Sequence, residues 1–251
     1  MNEDLTPSLR QWTEARVALG RAGGSVPVRS LLDFRLSHAR ARDAVHETFN
    51  ATAMAGELES LGQAVLIAHS QAGDRATYLQ RPDLGRALSA ESRAVLESAR
   101  SDDGCDLVIV LSDGLSAEAV HRQGPPLLRA LLPLLGEWRL APLVIAPLAR
   151  VALQDEIGEA LGARTALILL GERPGLGSPD SLGAYLVHSP RPGNTDAERN
   201  CVSNIRPAGL PPEAAAQRIA WLLTEARRLG FSGVDLKDHS GQGGAALGGA
   251  P

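Results

Sequence analysis

The sequence predicts an α/β fold, a Rossmann-like doubly wound parallel sheet with a smaller N-terminal part. Two observations lead to this prediction. First, short apolar runs without polar alternation occupy residues 107–111, 142–146 and 166–170, as in strands that are buried on both faces. Second, stretches with helical periodicity separate these runs, and strands that alternate with helices form parallel sheets covered on both sides.

The smaller N-terminal part comprises residues 1–99, where the pattern is less regular. Ser89 is a candidate N-cap, because its hydroxyl can accept a hydrogen bond from the first turn of a helix. The predicted elements of this part are a helix over 30–49, a strand over 64–68 and a helix over 89–99.

The Rossmann-like domain is predicted over residues 100–236. Pro211 opens its last helix and Gly230 ends it, which is the usual placement of these two residues. The carboxyl ends of the strands are where such folds bind their ligands. Residues 237–251 are rich in glycine and alanine and predict a disordered tail. The remaining predicted elements are helices over 115–121, 126–138, 155–161 and 212–229 and a strand over 184–187.

Composition excludes several classes of protein. The formal net charge of -4 disfavours a nucleic-acid partner, which usually meets a basic surface. Cys105 and Cys201 are too few for a disulfide scaffold or a metal cluster. The longest apolar run is too short to span a membrane, and no signal peptide is recognisable. We therefore expect a cytoplasmic protein. Lys237 is the only lysine, which excludes a Schiff-base or phosphate-loop lysine in the body of the fold.

Polar and glycine-rich loops follow two of the predicted strands, at 112–116 and 171–177. Each could be a strand-to-helix turn that needs glycine, or a loop that contacts a ligand. Together, at the ligand-binding edge, they predict a bound cofactor with a large polar periphery. Asp113 and Ser116 are proposed as its neighbours from their position at a strand end. Neither loop matches a dinucleotide, phosphate-loop or hydrolase motif, and the six histidines lack metal-ligand spacing, so no metal site is predicted.

The ordered motifs resemble those of a known family. They are Gly20-Arg-Ala-Gly23, the segment 30–43, the segment 78–86, Val110-Leu-Ser-Asp-Gly-Leu-Ser116, the segment 150–159, Leu170-Gly-Glu-Arg-Pro-Gly-Leu-Gly177 and Cys201-Val-Ser-Asn-Ile205. Over residues 15–236 this set is similar to the small (light) subunit of ethanolamine ammonia-lyase.

The resemblance implies a two-chain enzyme. In that family a Rossmann-like small chain packs on a large (β/α)₈-barrel chain, and adenosylcobalamin lies between them. The large chain binds ethanolamine, and a radical mechanism converts it to acetaldehyde and ammonia. The resemblance therefore implies that this chain has no catalytic residue of its own and is active only with the large subunit.

The resemblance also implies which residues contact the cobalamin, namely Val151, Glu172 and Cys201. A carboxylate such as Glu172 can accept the amide N–H groups of the corrin rim. Val151 offers an apolar surface, and Cys201 is small enough for close approach. Three glycines of the 171–177 loop would let the backbone approach the cofactor without a side-chain clash. They are Gly171, Gly175 and Gly177.

Cobalamin enzymes that supply a lower cobalt ligand use a D-x-H-x-x-G motif. No histidine in this sequence has an aspartate two residues before it. We therefore expect a base-on cofactor, with cobalt keeping its own dimethylbenzimidazole and receiving no metal ligand from this chain.

Two other functions stay open at this stage: an independent nucleotide-binding enzyme, and an interaction module that only stabilises its partner. Some relatives have an N-terminal extension thought to direct them into a bacterial microcompartment. The shorter N-terminus of this sequence argues against that location.

Overall fold

The computed structural model describes residues 15–17 and 19–240. Their helices are α1 (Val28–His46), α2 (Ala51–Glu59), α3 (Arg75–Gln80), α4 (Ala90–Ser98), α5 (Ala117–Leu131), α6 (Leu153–Leu161) and α7 (Pro212–Leu229). Their strands are β1 (Val65–Ile67), β2 (Cys105–Ser112), β3 (Leu143–Ile145), β4 (Ala163–Gly171), β5 (Leu182–His188) and β6 (Arg199–Ile205). Single 3-10 turns occupy Leu84–Arg86, Leu132–Leu135 and Asp196–Glu198.

The described strands form one six-stranded sheet in the order β1-β3-β2-β4-β5-β6. The first four strands are parallel, whereas β5 is antiparallel to both β4 and β6. The α/β class is confirmed, but the predicted parallel direction is wrong for β5, and β6 was not predicted as a strand. Residues 172–181, which join β4 to β5, contain no helix, and a parallel neighbour would have required a crossover.

Helices cover both faces of the sheet, as the apolar strands predicted. Along β2, Leu107, Ile109 and Leu111 pack in one core cluster with side chains of α2, α5 and α7. The alternate residues Val108 and Val110 pack in a second cluster with α4 and α6. Because both faces are buried, no position of the strand can be polar without a partner, and the run is apolar throughout.

The segment 115–138 differs from its prediction. Two helices were expected, but one helix, α5, runs to Leu131 and a 3-10 turn follows it. Pro125 and Pro126 lie inside this helix, where proline removes backbone hydrogen bonds. The neighbouring Leu127 and Leu128 are fully buried in the core, and this packing offsets the cost of the prolines.

The N-terminal part contributes an edge strand to the sheet, because β1 pairs with β3. The predicted division near residue 99 stays a prediction, and residues 241–251 of the predicted tail lie outside the described part of the chain. Helix α1 has a single buried residue, Ala44. None of the described helices combines the length and apolarity needed to cross a membrane.

Candidate functional site

A cavity of about 410 Å³ opens near the carboxyl ends of β2, β3 and β4. This is the edge of the sheet at which the sequence predicted ligand binding. Three of the predicted site residues line it, namely Val151, Gly171 and Glu172. The other lining residues are Tyr78, Leu115, Arg150, Leu170, Arg173 and Tyr185.

Glu172 follows the last residue of β4 and is fixed by its neighbours. Its Oε2 accepts a hydrogen bond from the hydroxyl of Ser181 at 2.5 Å and from the backbone N–H of Asn204 at 3.3 Å. Gly183 leaves room for this carboxylate, since a Cβ there would lie 2.9 Å from Oε1. A carboxylate offers about four lone-pair sites, so it keeps capacity to accept N–H groups of a ligand.

Arg150 and Val151 enter the cavity wall from the loop that follows β3. The guanidinium of Arg150 lies over the ring of Tyr78, 4.1 Å from its centroid, and also donates to the carbonyl of Tyr78 at 3.0 Å. The Tyr78 hydroxyl donates to the carbonyl of Ala149 at 3.1 Å, and burial raises the pKa of Tyr78 to about 12. Gly85 permits this stack, because a Cβ there would lie 2.9 Å from Cγ of Arg150.

Asp113 does not line the cavity, and it is only 2% exposed. Its Oδ1 accepts the backbone N–H of Leu148 at 2.7 Å, and its Oδ2 accepts Nη1 of Arg75 at 3.0 Å. Burial raises the pKa of Asp113, while the Leu148 N–H and the Arg75 guanidinium oppose that shift. The residue predicted as a cofactor neighbour therefore makes its contacts inside the protein.

Ser116 is also buried and lies outside the cavity wall. It is the N-cap of α5: its hydroxyl accepts the backbone N–H of Ala119 at 3.2 Å. The same hydroxyl donates to the carbonyl of Pro179 at 2.8 Å. Ser116 thus joins the start of a helix to the loop after β4.

The three predicted glycines of the 171–177 loop have different surroundings. A Cβ on Gly171 would lie 2.1 Å from the carbonyl oxygen of Ser116 and 2.3 Å from that of Asp113, so close packing within the protein already requires glycine there. A Cβ on Gly175 would meet only the Ser178 side chain, at 2.6 Å. Gly177 is exposed and lies in the wall of another cavity of about 900 Å³, beside α1. Only Gly171 lines the cavity that holds Glu172.

Cys201 lies on β6 directly opposite Tyr185 of β5, and its side chain is exposed. Tyr185 lines the cavity, whereas Cys201 does not. Burial raises the pKa of Tyr185, and the neighbouring Cys201 and Glu172 act in the same direction. Cys201 therefore lies next to the cavity, and the ring of Tyr185 separates the two.

Sequence reasoning did not single out Tyr78, Arg150 or Tyr185 as site residues. Tyr78 and Arg150 belong to two of the motifs that carried the family resemblance, and membership of these motifs was the one sequence signal that could have identified them. Their contact joins positions 72 residues apart in sequence, so only the fold reveals it.

Comparisons with known proteins agree with the family resemblance of the sequence motifs. A family model described as ethanolamine ammonia-lyase light chain matches residues 3–237. The chain belongs to this family. The small subunit of ethanolamine ammonia-lyase from Rhodopseudomonas palustris is 56% identical over 234 residues, covering 92% of this chain and 89% of that protein. The one from Bradyrhizobium diazoefficiens is 56% identical over 238 residues, covering 94% and 91%.

A third small subunit, from Ralstonia nicotianae, is 51% identical over 235 residues, covering 92% of this chain and 87% of that protein. The resemblance inferred from the motifs is confirmed. So is the prediction that the chain is part of an ammonia-lyase, as its small (light) subunit.

Proposed function

We propose that this light chain holds adenosylcobalamin in the cavity beside Glu172, against the large subunit, for conversion of ethanolamine to acetaldehyde and ammonia. One observation carries the proposal. Glu172 and Val151, two positions that the family resemblance implies as cobalamin contacts, line the same open cavity. That cavity lies at the sheet edge where doubly wound, Rossmann-like folds bind cofactors.

The residues of the cavity suit the chemistry of this cofactor. Cobalamin combines an apolar macrocycle with a rim of neutral amides, which both donate and accept hydrogen bonds. Glu172 can accept amide N–H groups, and the guanidinium of Arg150 can donate to amide carbonyls. The buried Nε of Arg150 has no hydrogen-bond partner within the part of the chain that the structure describes. Leu115 and Val151 supply apolar surface.

The size of the cavity supports a site shared between two chains. Cobalamin is much larger than a space of about 410 Å³, so most of the cofactor must lie outside this cavity. We infer that the large (β/α)₈-barrel subunit, which binds ethanolamine, covers it. When bound, adenosylcobalamin supplies the radical that begins the reaction.

The proposed role of this chain is to bind the cofactor and to orient it. Ser181 and the Asn204 backbone already hold the Glu172 carboxylate, so little side-chain freedom is lost when a ligand amide binds. We assign no catalytic residue to this chain. We further propose that the cofactor is base-on, with no cobalt ligand from this chain.

The test of the whole assignment is co-expression with the large-subunit gene. We expect acetaldehyde to form from ethanolamine only when both chains and adenosylcobalamin are present. Activity of either chain alone, or no complex and no retained cobalamin, would contradict the proposal. Electron paramagnetic resonance of the reduced cofactor tests the base-on state, since coupling to a histidine nitrogen would exclude it.

A Glu172→Ala variant distinguishes cofactor binding from mere stabilisation of the partner. We expect its complex with the large subunit to assemble normally but to bind cobalamin more weakly. Glu97→Ala is a matched control, because Glu97 is exposed on α4, away from the cavity. Equal cobalamin affinity of the two variants would favour an interaction module that does not touch the cofactor.

A further inference from the structure

The loop that carries Arg150 and Val151 contains a strained residue. Leu148 has φ 57°, and it is one of three non-glycine residues with positive φ in the described part of the chain. Leucine avoids this left-handed region, because its Cβ crowds the backbone there. Such a conformation persists only where surrounding groups hold it.

Both polar backbone groups of Leu148 are held by side chains from other segments. Its N–H donates to Oδ1 of Asp113 at 2.7 Å. Its carbonyl accepts the hydroxyl of Ser70 at 2.9 Å. Asp113 is held in turn by Arg75, whose guanidinium donates to Oδ2 at 3.0 Å. Leu148 is therefore held at both its N–H and its carbonyl, and one of the two side chains that hold it, Asp113, is itself held by Arg75.

The conformation of Leu148 affects the cavity because the residues that follow it in the chain form part of the cavity wall. Ala149, which follows Leu148, donates its N–H to the hydroxyl of Ser112 at 3.1 Å. Arg150 and Val151 come next, and both line the cavity. A change of φ at Leu148 would redirect the backbone just before these two residues.

We propose that Asp113 is a positioning residue for the cofactor: its carboxylate keeps Leu148 in the left-handed conformation and so holds Arg150 and Val151 at the cavity wall. The inference rests on the proposed cobalamin site and adds a role for a residue that does not touch the ligand. Without the carboxylate, only a fraction of molecules keeps the competent loop, and the apparent Kd rises in inverse proportion to that fraction.

The test measures binding of cyanocobalamin to the purified complex with the large subunit, so that no turnover is needed. We expect Asp113→Ala to raise Kd by about tenfold, as when a tenth of the molecules keeps the competent loop. We expect Asp113→Asn to stay within about threefold of the unaltered complex, because its amide oxygen can still accept the Leu148 N–H. Asp106→Ala is the control for removing a buried, arginine-paired aspartate far from the Leu148 loop, because Asp106 lies near the opposite end of β2.

A second variant separates positioning from general loss of stability. Glycine adopts positive φ without strain, so Leu148→Gly added to Asp113→Ala should recover most of the lost affinity. Loss of the half-buried leucine side chain and of the Asp113 carboxylate should keep this double variant less stable than the unaltered complex. Recovery of affinity together with lower stability supports the proposal. Equal Kd values for Asp113→Ala and Asp106→Ala would overturn it, as would an Asp113→Asn complex as weak as Asp113→Ala. If the unaltered complex binds no cyanocobalamin, the cofactor site itself is wrong.

Discussion

The polar loops after β2 and after β4 were predicted alike, as ligand-binding loops, but they differ in the structure. After β2, Asp113 and Ser116 are buried and make their hydrogen bonds within the protein. After β4, Glu172 faces an open cavity. Polar residues at the ligand-binding edge of a sheet thus divide between those that hold the backbone and those that can meet a ligand. Substitutions after β2 should therefore reduce stability and should change cofactor affinity only indirectly, through the backbone that those residues hold. Substitutions at Glu172 should reduce cofactor affinity directly.

The largest effect is expected at Asp113. Replacing it by alanine leaves the guanidinium of Arg75, whose side chain is 18% exposed, without its carboxylate partner. Breaking a buried ion pair in this way costs about 3–5 kcal/mol, and we expect the free energy of unfolding to fall by roughly that amount. Urea denaturation followed by circular dichroism measures it. A loss below about 1 kcal/mol, typical of a surface pair, would contradict the interior role of Asp113.

Gly171 should give the next largest effect, because it lies where the two loops touch. A methyl group at this position would approach two carbonyl oxygens closer than 2.5 Å, and backbone must move to accommodate it. We expect Gly171→Ala to cost about 1–3 kcal/mol, which is usual for overpacking.

Gly175→Ala is the matched control in the same loop, since only the Ser178 side chain would have to move. We expect thermal denaturation to show a smaller loss for this variant. If both alanine variants unfold at the same temperature, the close contact between the loops does not determine stability.

Ser116 should give a smaller effect on stability and none on affinity. Ser116→Ala removes the N-cap of α5, which typically costs about 1 kcal/mol. Because its hydroxyl does not line the cavity, cyanocobalamin should bind the Ser116→Ala complex as it binds the unaltered one. Isothermal titration and thermal denaturation of the same preparation measure both quantities. Weaker binding at unchanged stability would place Ser116 at the ligand after all.

The smallest effect is expected at the start of β2. Hydrogen bonds from Arg139 lower the pKa of Asp106 below its usual 3.8, so its charged form stabilises the fold above that pH. The side chain of Arg139 is 50% exposed, and we expect Asp106→Asn to cost about 1 kcal/mol or less at pH 7.

This contribution should be lost as the pH falls below 3.8 through the lowered pKa, because the aspartate then becomes protonated. Urea titrations of the unaltered protein and of Asp106→Asn at several pH values measure the difference between their free energies of unfolding. A difference that grows toward acid pH would contradict this prediction.

The sequence predicted the repetitive parts of the fold better than its edge. The apolar runs of β2, β3 and β4 need no partner to be recognised, because burial on both faces excludes polar residues. Strand β6 was not predicted, because its polar residues are typical of a loop. Only the pairing with β5 identifies this segment as a strand. The antiparallel direction of β5 depends on the short connection before it, which no strand pattern reveals.

The candidate site was predicted in part. The sequence located the sheet edge and, through the family resemblance, Glu172 and Val151. Position at a strand end alone could not distinguish Asp113 from Glu172, because burial of a polar side chain is decided by the packing around it. The stack of Arg150 on Tyr78 joins distant segments and therefore has no local signal.

The most direct test of the proposed cofactor site compares Glu172→Gln with Ser116→Ala in complex with the large subunit. Glutamine keeps the shape of Glu172 but replaces a charged acceptor by a weaker one, and about 1.4 kcal/mol of lost binding is a tenfold change. We predict that cyanocobalamin binds the Glu172→Gln complex about tenfold more weakly, with little change in unfolding temperature. The Ser116→Ala complex should show lower stability and unchanged affinity. Unchanged affinity in Glu172→Gln would contradict the assignment of this cavity to the cofactor.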